Sequence, residues 1–280
     1  MKKYYITTPI YYVNDKPHIG HAYTTILADT LSRFRALIGE QSFFLTGLDE
    51  HGLKVQQAAE KNKVSPDLHC DRMAPAFIEL WEKLNINYSD FIRTTEKRHT
   101  KIVQGILNEV YQNGDIYQDE YEGWYSISEE RFITEKEVES GLFGEVKKIK
   151  EKNYFFKMSK YQSELIKKIE SDELSIQPKS RKNEVLGFLK QELSDLCISR
   201  PKSRLEWGIE IPFDKDYVTY VWFDALINYI SAPKYSEDKT NFELHWPADV
   251  HLIGKDILTT HSVYWPTMLM SLNLPMPKAI

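Results

Sequence analysis

Cysteine is nearly absent: the 280 residues contain only Cys70 and Cys197, far apart in the chain. That excludes a disulfide framework, a Cys-x-x-Cys redox pair and a zinc knuckle, and it fits a reducing, cytoplasmic setting. Uninterrupted apolar runs are missing too. The opening "MKKYYITTPIYYVNDKPH" is basic and then apolar, but Thr, Pro, Asn, Asp and Lys break it before a signal-peptide core or a membrane span could form, so no membrane partner is expected. Nor is there an excess of positive charge. With 36 Lys and Arg against 41 Asp and Glu, the formal net charge is −5, and any nucleic-acid partner must meet a local basic patch. Repeats at solenoid spacing and low-complexity tracts are also lacking. What is present is 42% apolar and 13% aromatic residues, enough to offset ordering entropy in one large domain with an insertion, or in two domains.

The β-branched and aromatic stretch "KYYITTPIYYV" (3–13) predicts a buried strand ending near Pro9. From Ile19, the apolar positions Ala22, Ile26, Leu27, Leu31, Phe34 and Leu37 keep helical spacing until Gly39. "SFFLTGL" (42–48) predicts a second strand, "DEHG" a polar turn and "LKVQQAAEKN" a helix. Residues 67–84 read as helical with a break at Pro75, 90–95 as a third strand, and 97–112 as an amphipathic helix stopped at Gly114. This rhythm is that of an α/β protein with a parallel, doubly wound sheet. From Asp115 to about Pro212 it gives way to short aromatic strands mixed with charged helices, the pattern of an inserted domain. It returns with "YVTYVWFDALINYI" (217–230), a strand at "DVHLIGKDI" (249–257) and a helix through "HSVYWPTMLMSL". The expected division is 1–114 and 213–280 as two halves of a nucleotide-binding fold, with 115–212 inserted between them.

In "KPHIGHAYTT" (16–25), His18 and His21 stand three apart at a helix start, around Gly20. A helix start offers unpaired N–H groups and the positive dipole end, and two imidazoles there can donate to phosphate oxygens whose charge grows during transfer. Taken alone, so short a motif also fits two packed or surface histidines. A metal site has less support, because no acidic or sulfur partner has ligand spacing nearby, although His51 stays open. Placement directly after the first strand favours the nucleotide reading.

In unbroken order, "TTPIYYVNDKPHIGHAYTTILADTLSRF", "FFLTGLDEHGLKVQQAAE", "EGWYSI", "NEVLGFL", "YVWFDALINYI" and "WPADVHLIGKDIL" resemble the methionyl-tRNA synthetases, class I enzymes, over nearly the whole chain. The resemblance implies a Rossmann-like sheet split by an α+β connective insert. It implies a methionine–tRNA ligase, in which ATP with Mg²⁺ activates methionine to methionyl-adenylate before transfer to tRNA, by positioning and charge stabilisation without an enzyme nucleophile. His18, Gly20 and His21 would meet the ATP as the catalytic signature, and Gly254 and Asp256 would hold the nucleoside. Ile10, Tyr12, Asp49, Trp222, Ala225, Tyr229, Ile257 and His261 would form the methionine pocket, with Asp49 pairing the α-ammonium. Aromatic walls suit a polarizable thioether, at about 0.3–1.5 kcal/mol per contact. A hydroxyl such as that of Tyr12 would help to reject leucine. Read without the resemblance, Trp222 and Tyr229 are ordinary core aromatics.

Three departures qualify this. Ser126 and Glu129 stand where many relatives carry a Cys-x-x-Cys, so no structural zinc is expected. The Lys-Met-Ser-Lys-Ser loop that holds pyrophosphate in the family would follow a last strand, and this chain ends at "PMPKAI", where that strand should begin. "KMSK" at 157–160 lies in the insert instead. The helical anticodon-reading region is missing as well, so weak tRNA binding is expected, and "PKSRK" (178–182) and "SRPKSR" (199–204) read as solvated loop faces. Leu48, Thr259 and Thr260 are smaller differences. The expectations are methionine binding with impaired turnover and an open sheet edge beside the unfinished strand. The rival readings are a non-catalytic remnant or split subunit that works with a C-terminal partner chain, and a small-molecule adenylyltransferase.

Overall fold

The computed structural model describes residues 2–126, 131–133, 135–141 and 144–280. Strand β1 (Lys3–Tyr12), helix α1 (Ile19–Leu37), strand β2 (Gln41–Asp49), helices α2 (Leu53–Lys61) and α3 (Pro66–Lys83), strand β3 (Asp90–Arg93) and helix α4 (Lys97–Gln112) open the chain. Strands β4 (Ile116–Ser126), β5 (Arg131–Ile133) and β6 (Val146–Phe156) follow, with α5 (Glu135–Glu139) between the last two. Next come α6 (Gln162–Glu170), α7 (Lys179–Phe188), β7 (Leu196–Cys197), β8 (Ser199–Pro201), β9 (Glu210–Ile211) and β10 (Asp214–Thr219). Helices α8 (Val221–Leu226), α9 (Asn228–Ser231) and α10 (Lys239–His245), strand β11 (Val250–His251) and helix α11 (Trp265–Ser271) complete it.

The first sheet is parallel in the order β11-β1-β2-β3. The chain builds outward from β1 through β2 to β3 and later returns with β11 on the other side of β1. That reversal of direction opens a crevice at the carboxyl ends of β1 and β11, where doubly wound sheets bind ligands. The region after Asp115 contains an antiparallel sheet, β5-β4-β6-β7, while β8-β10-β9 form a third, three-stranded sheet.

Several expectations are corrected. The first strand does not end near Pro9: its pairing with β2 shifts register between Thr7 and Ile10 and continues to Tyr12, as a bulge accommodates a residue that cannot donate to the ladder. Helix α3 runs unbroken past Pro75, because Pro75 is on the exposed side while Cys70, Ala74, Phe77 and Trp81 anchor both halves in the core. Of "DVHLIGKDI" only Val250 and His251 are strand, and the remainder leaves the sheet for a 3₁₀ turn at Lys255–Ile257. Of the apolar positions expected on α1, Ala22 and Leu31 pack against the core, but Ile26, Leu27, Phe34 and Leu37 are exposed, and Thr25, Ala28, Asp29 and Ser32 are the most buried. The sheet edge beside β11 is not open, since Ala279 O accepts from His251 N at 2.9 Å and Ile280 N donates to Ser175 O at 2.8 Å.

The basic clusters are not simply solvated. Arg200 is buried, its guanidinium 4.5 Å from the Tyr220 ring, and Arg204 lies 4.5 Å from the Tyr125 ring and 3.0 Å from Glu151. Lys182 and Lys202 pair with Asp172 and Glu210, each at 2.7 Å. "KMSK" ties the chain after β6 to the end of α4: Met158 is in the main core, Lys157 donates to Gly114 O, and Lys160 pairs with the buried Asp115 at 2.6 Å. Ser126 ends β4, and Glu129 lies outside the described residues. Cys70 and Cys197 are both buried and unbridged. Among the described residues, no helix is long and apolar enough to cross a membrane.

Candidate active site

A cavity of about 540 Å³ occupies the crevice at the strand-order reversal. Its walls come from the end of β1 (Pro9, Ile10, Tyr11, Tyr12), the start of α1 (His18, Gly20, His21), Asp49 closing β2, the α8–α9 segment (Trp222, Ala225, Tyr229) and the turn after β11 (Gly254, Asp256, Ile257), with His261 beyond. Each residue singled out from the resemblance therefore borders one space.

His18 is the N-cap of α1. Its Nδ1 accepts from Gly20 N at 3.1 Å, while His18 N donates to His21 Nδ1 at 3.3 Å, a reciprocal capping box made by two imidazoles. Because each Nδ1 is an acceptor, the neutral ring of each carries its proton on Nε2, which stays outside the box as an N–H donor. The rings stack 3.7 Å apart, and Tyr11 packs 4.5 Å from His21. Burial, then the neighbouring His18, pushes His21 down to about 4, so its ring is uncharged at neutral pH. Gly20 has a role the sequence did not show. A Cβ there would lie 2.9 Å from His18 Cε1, so glycine lets the capping ring fold over the helix start.

At the other end, Tyr229 and His261 are coupled. His261 Nδ1 is 2.9 Å from Ile257 O, which can only accept, so Nε2 accepts in turn from the Tyr229 hydroxyl at 2.7 Å. Asp49 is held by a rigid turn. Its neighbour Glu50 accepts from Arg93 Nε at 2.7 Å and its amide donates to Thr94 Oγ1 at 3.0 Å, and Gly52 takes φ +100°, a conformation only glycine adopts freely. Behind the cavity, the buried Asp224 accepts from His51 at 2.8 Å and His99 at 3.1 Å, joining the Asp49 turn to the helix that bears Trp222. Thus His51, left open as a metal ligand, is the partner of a carboxylate. No three His, Cys, Asp or Glu side chains cluster as a metal site among the described residues.

Burial holds His261 at about 4 and pushes His251 well below its ordinary value. The unfolded rings protonate below about pH 6.5, while folded His261 stays neutral to about pH 4 and folded His251 stays neutral well below its ordinary value. The unfolded state then binds more protons in that window. Stability is complete above pH 6.5 and is lost progressively as pH falls towards 4. His261 alone is expected to cost about 2 kcal/mol between pH 7 and pH 5, with His251 adding in the same direction. Urea unfolding at the two pH values checks this, and equal stabilities would contradict it.

A family model described as tRNA synthetases class I (M) matches residues 4–142 and 139–280. The chain belongs to this family. Among class I (M) relatives, the methionine–tRNA ligases of Clostridium acetobutylicum and Clostridium tetani are 52% and 50% identical to it over its whole length. The chain spans 44% of each of those relatives. Mycobacterium tuberculosis methionyl-tRNA synthetase in complex with methionyl-adenylate overlays at a TM-score of 0.95 with 41% identity, covering all of this chain and 56% of that one. The free-state form of the same synthetase overlays at 0.85 with 39% identity, covering 55% of that chain. For a class I (M) fold, the resemblance had named most of the cavity wall. It missed Lys54, Thr24 and Asn228, whose Oδ1 is buried without a hydrogen-bond partner; no local pattern marks that asparagine.

Proposed function

We propose that the chain is the catalytic portion of a methionine–tRNA ligase, forming methionyl-adenylate from methionine and ATP for transfer to tRNA. One observation carries this reading: the ATP-facing and methionine-facing candidates line a single cavity at the strand-order reversal. A carboxylate oxygen of methionine forms a bond to the α-phosphorus as the bond to pyrophosphate breaks. His18 and His21 lend Nε2–H groups to the phosphate oxygens that gain charge, with the α1 dipole behind them. Gly254 and Asp256 border the nucleoside, and Asp49 takes the α-ammonium. Ile10, Tyr12, Trp222, Ala225, Ile257 and the Tyr229–His261 pair enclose the side chain. Magnesium belongs to this reading as part of the substrate, carried on the triphosphate. The tRNA and a cytoplasmic setting are part of it too, supported by the names of the relatives and by two buried, unbridged thiols.

Gly254 has φ −76° and ψ 153°, which any residue adopts, and a Cβ there meets nothing within 4 Å. Gly254→Val is therefore expected to keep the parent's stability while filling nucleoside space. ATP affinity should fall by about tenfold or more, equivalent to about 1.4 kcal/mol, with methionine affinity unchanged. Calorimetric titration with each ligand, alongside methionine-dependent exchange of pyrophosphate into ATP, tests the proposal. Absence of methionine binding, or an unaltered ATP affinity in the variant, would refute it.

A further inference from the structure

The turn that presents Asp49 is gripped from a distant part of the chain. Trp207, in the loop between β8 and β9, lies 157 positions beyond Glu50, yet its indole Nε1–H donates to Glu50 O. Its own carbonyl accepts from Gly52 N at 3.2 Å, and its ring packs 5.4 Å from that of His51. Trp207 thus touches each of the three residues that follow Asp49. Gln56, in α2, returns the grip: its Oε1 accepts from Glu206 N at 3.1 Å and from Trp207 N at 3.2 Å. The loop has little freedom of its own. A Cβ on Gly208 would lie 3.0 Å from Val218 Cβ, and Thr219 N donates to Ile209 O at 2.7 Å, so the residues after Trp207 are pressed against β10. Strand β10 runs directly into α8, which carries Trp222 and Ala225. Trp207 therefore registers the Asp49 wall of the cavity against the Trp222 wall, by a route separate from the Asp224 network.

Glu50 is fully buried, so its carbonyl has no bulk water to turn to if the indole is removed. The Cys70 thiol also approaches that carbonyl, at 3.6 Å, but a thiol is a weak donor. Loss of the indole N–H would let the peptide after Glu50 turn, and Asp49 is the residue just before it, at the end of β2. A tilt there re-aims the carboxylate, and charge-assisted hydrogen bonds weaken steeply with misalignment. Trp207 is not among the residues that border the cavity, so its action on a ligand runs through Asp49. We propose that Trp207 is a positioning residue: by holding Glu50 O and Gly52 N it aims the Asp49 carboxylate at the α-ammonium of methionine. The inference rests on the reading of this cavity as a site for methionine and ATP.

Trp207→Phe keeps an aromatic ring and removes the N–H. In calorimetric titration its Kd for methionine should rise about tenfold, as a charge-assisted hydrogen bond loses its alignment, while its Kd for ATP stays within about twofold of the parent's. The probe that isolates the contact is 4-(methylsulfanyl)butanoate, which is methionine without its ammonium; its affinity, measured by direct titration, should agree within about twofold between parent and variant. Gln56→Leu leaves the indole in place and releases the two loop amides, and should raise the methionine Kd by about threefold with the same indifference to the other two ligands. Circular dichroism confirms that each variant is folded, and if Trp207→Phe is not, Gln56→Leu carries the comparison. Equal losses for methionine and the ammonium-free acid would make Trp207 a support of the whole pocket and overturn the proposal. An unchanged methionine Kd in the folded variant overturns it as well. A parent chain that binds no methionine sinks the functional reading and this inference with it, whereas a parent that binds methionine beside an indifferent variant sinks only the role of Trp207.

Discussion

Replacing Asp224 with alanine is expected to cost about 3–5 kcal/mol of stability, the usual consequence of removing one member of a buried charged group. Asp224 is fully buried between His51 and His99, and His99 is tied on its other side to Ser231 Oγ at 2.7 Å. Burial alone would raise its carboxyl, yet the charge and hydrogen bond of His51, with those of His99, hold it below the usual carboxylate range. Its removal leaves two enclosed imidazoles without their acceptor. The effect reaches the site because His51 belongs to the Asp49 turn and Asp224 to the helix bearing Trp222 and Ala225. Urea unfolding should show the loss, and methionine titration of the folded fraction should show weakened binding. Asp224→Asn, which keeps the shape and one acceptor oxygen, should lose less in both measurements. An alanine variant within 1 kcal/mol of the parent would show that the network is not what joins the two walls.

What the sequence made legible was local. The order of strands and helices, the histidine pair at a helix start and the polar turn after β2 are each written in a few neighbouring residues, whereas the ends of β1 and β11 were not. A parallel sheet brings those ends to one side of the molecule, so every residue carried over by resemblance met in one crevice. The Asp224 network was not legible, because its partners are 173 and 125 positions away in the chain and no periodicity links them. The orientation of α1 was not legible for a different reason. Helical spacing shows that one face is apolar, but not that the domain's own core lies beneath it. Here the most buried residues are Thr25, Ala28, Asp29 and Ser32, while Ile26, Leu27, Phe34 and Leu37 are exposed.

Gly47→Ala is expected to be at least as damaging, and by another mechanism. Gly47 pairs with Ile92 across β2 and β3, and a Cβ at position 47 would lie 2.0 Å from Ile92 O and 2.9 Å from Ile92 C. These are backbone atoms, so no rotamer change relieves the overlap. Strand β3 would have to retreat, although Ile92 is fixed in the main core with Ile102, Val103 and Ile106. The retreat would pull Arg93 and Thr94 away from Glu50 and loosen the turn that presents Asp49. Overpacking alone typically costs about 1–3 kcal/mol, and with displaced ladder bonds the total should exceed about 3 kcal/mol. In a chain of this size that corresponds to a fall in Tm of roughly 10 °C. Gly105→Ala supplies the contrast, because Gly105 is exposed within α4 and a Cβ there meets nothing within 4 Å; it should be neutral or stabilising by about 0.5–1 kcal/mol. Thermal unfolding of both variants decides the matter, since a Gly47→Ala melt coinciding with the parent's would mean that β2 and β3 are not as close as this geometry requires.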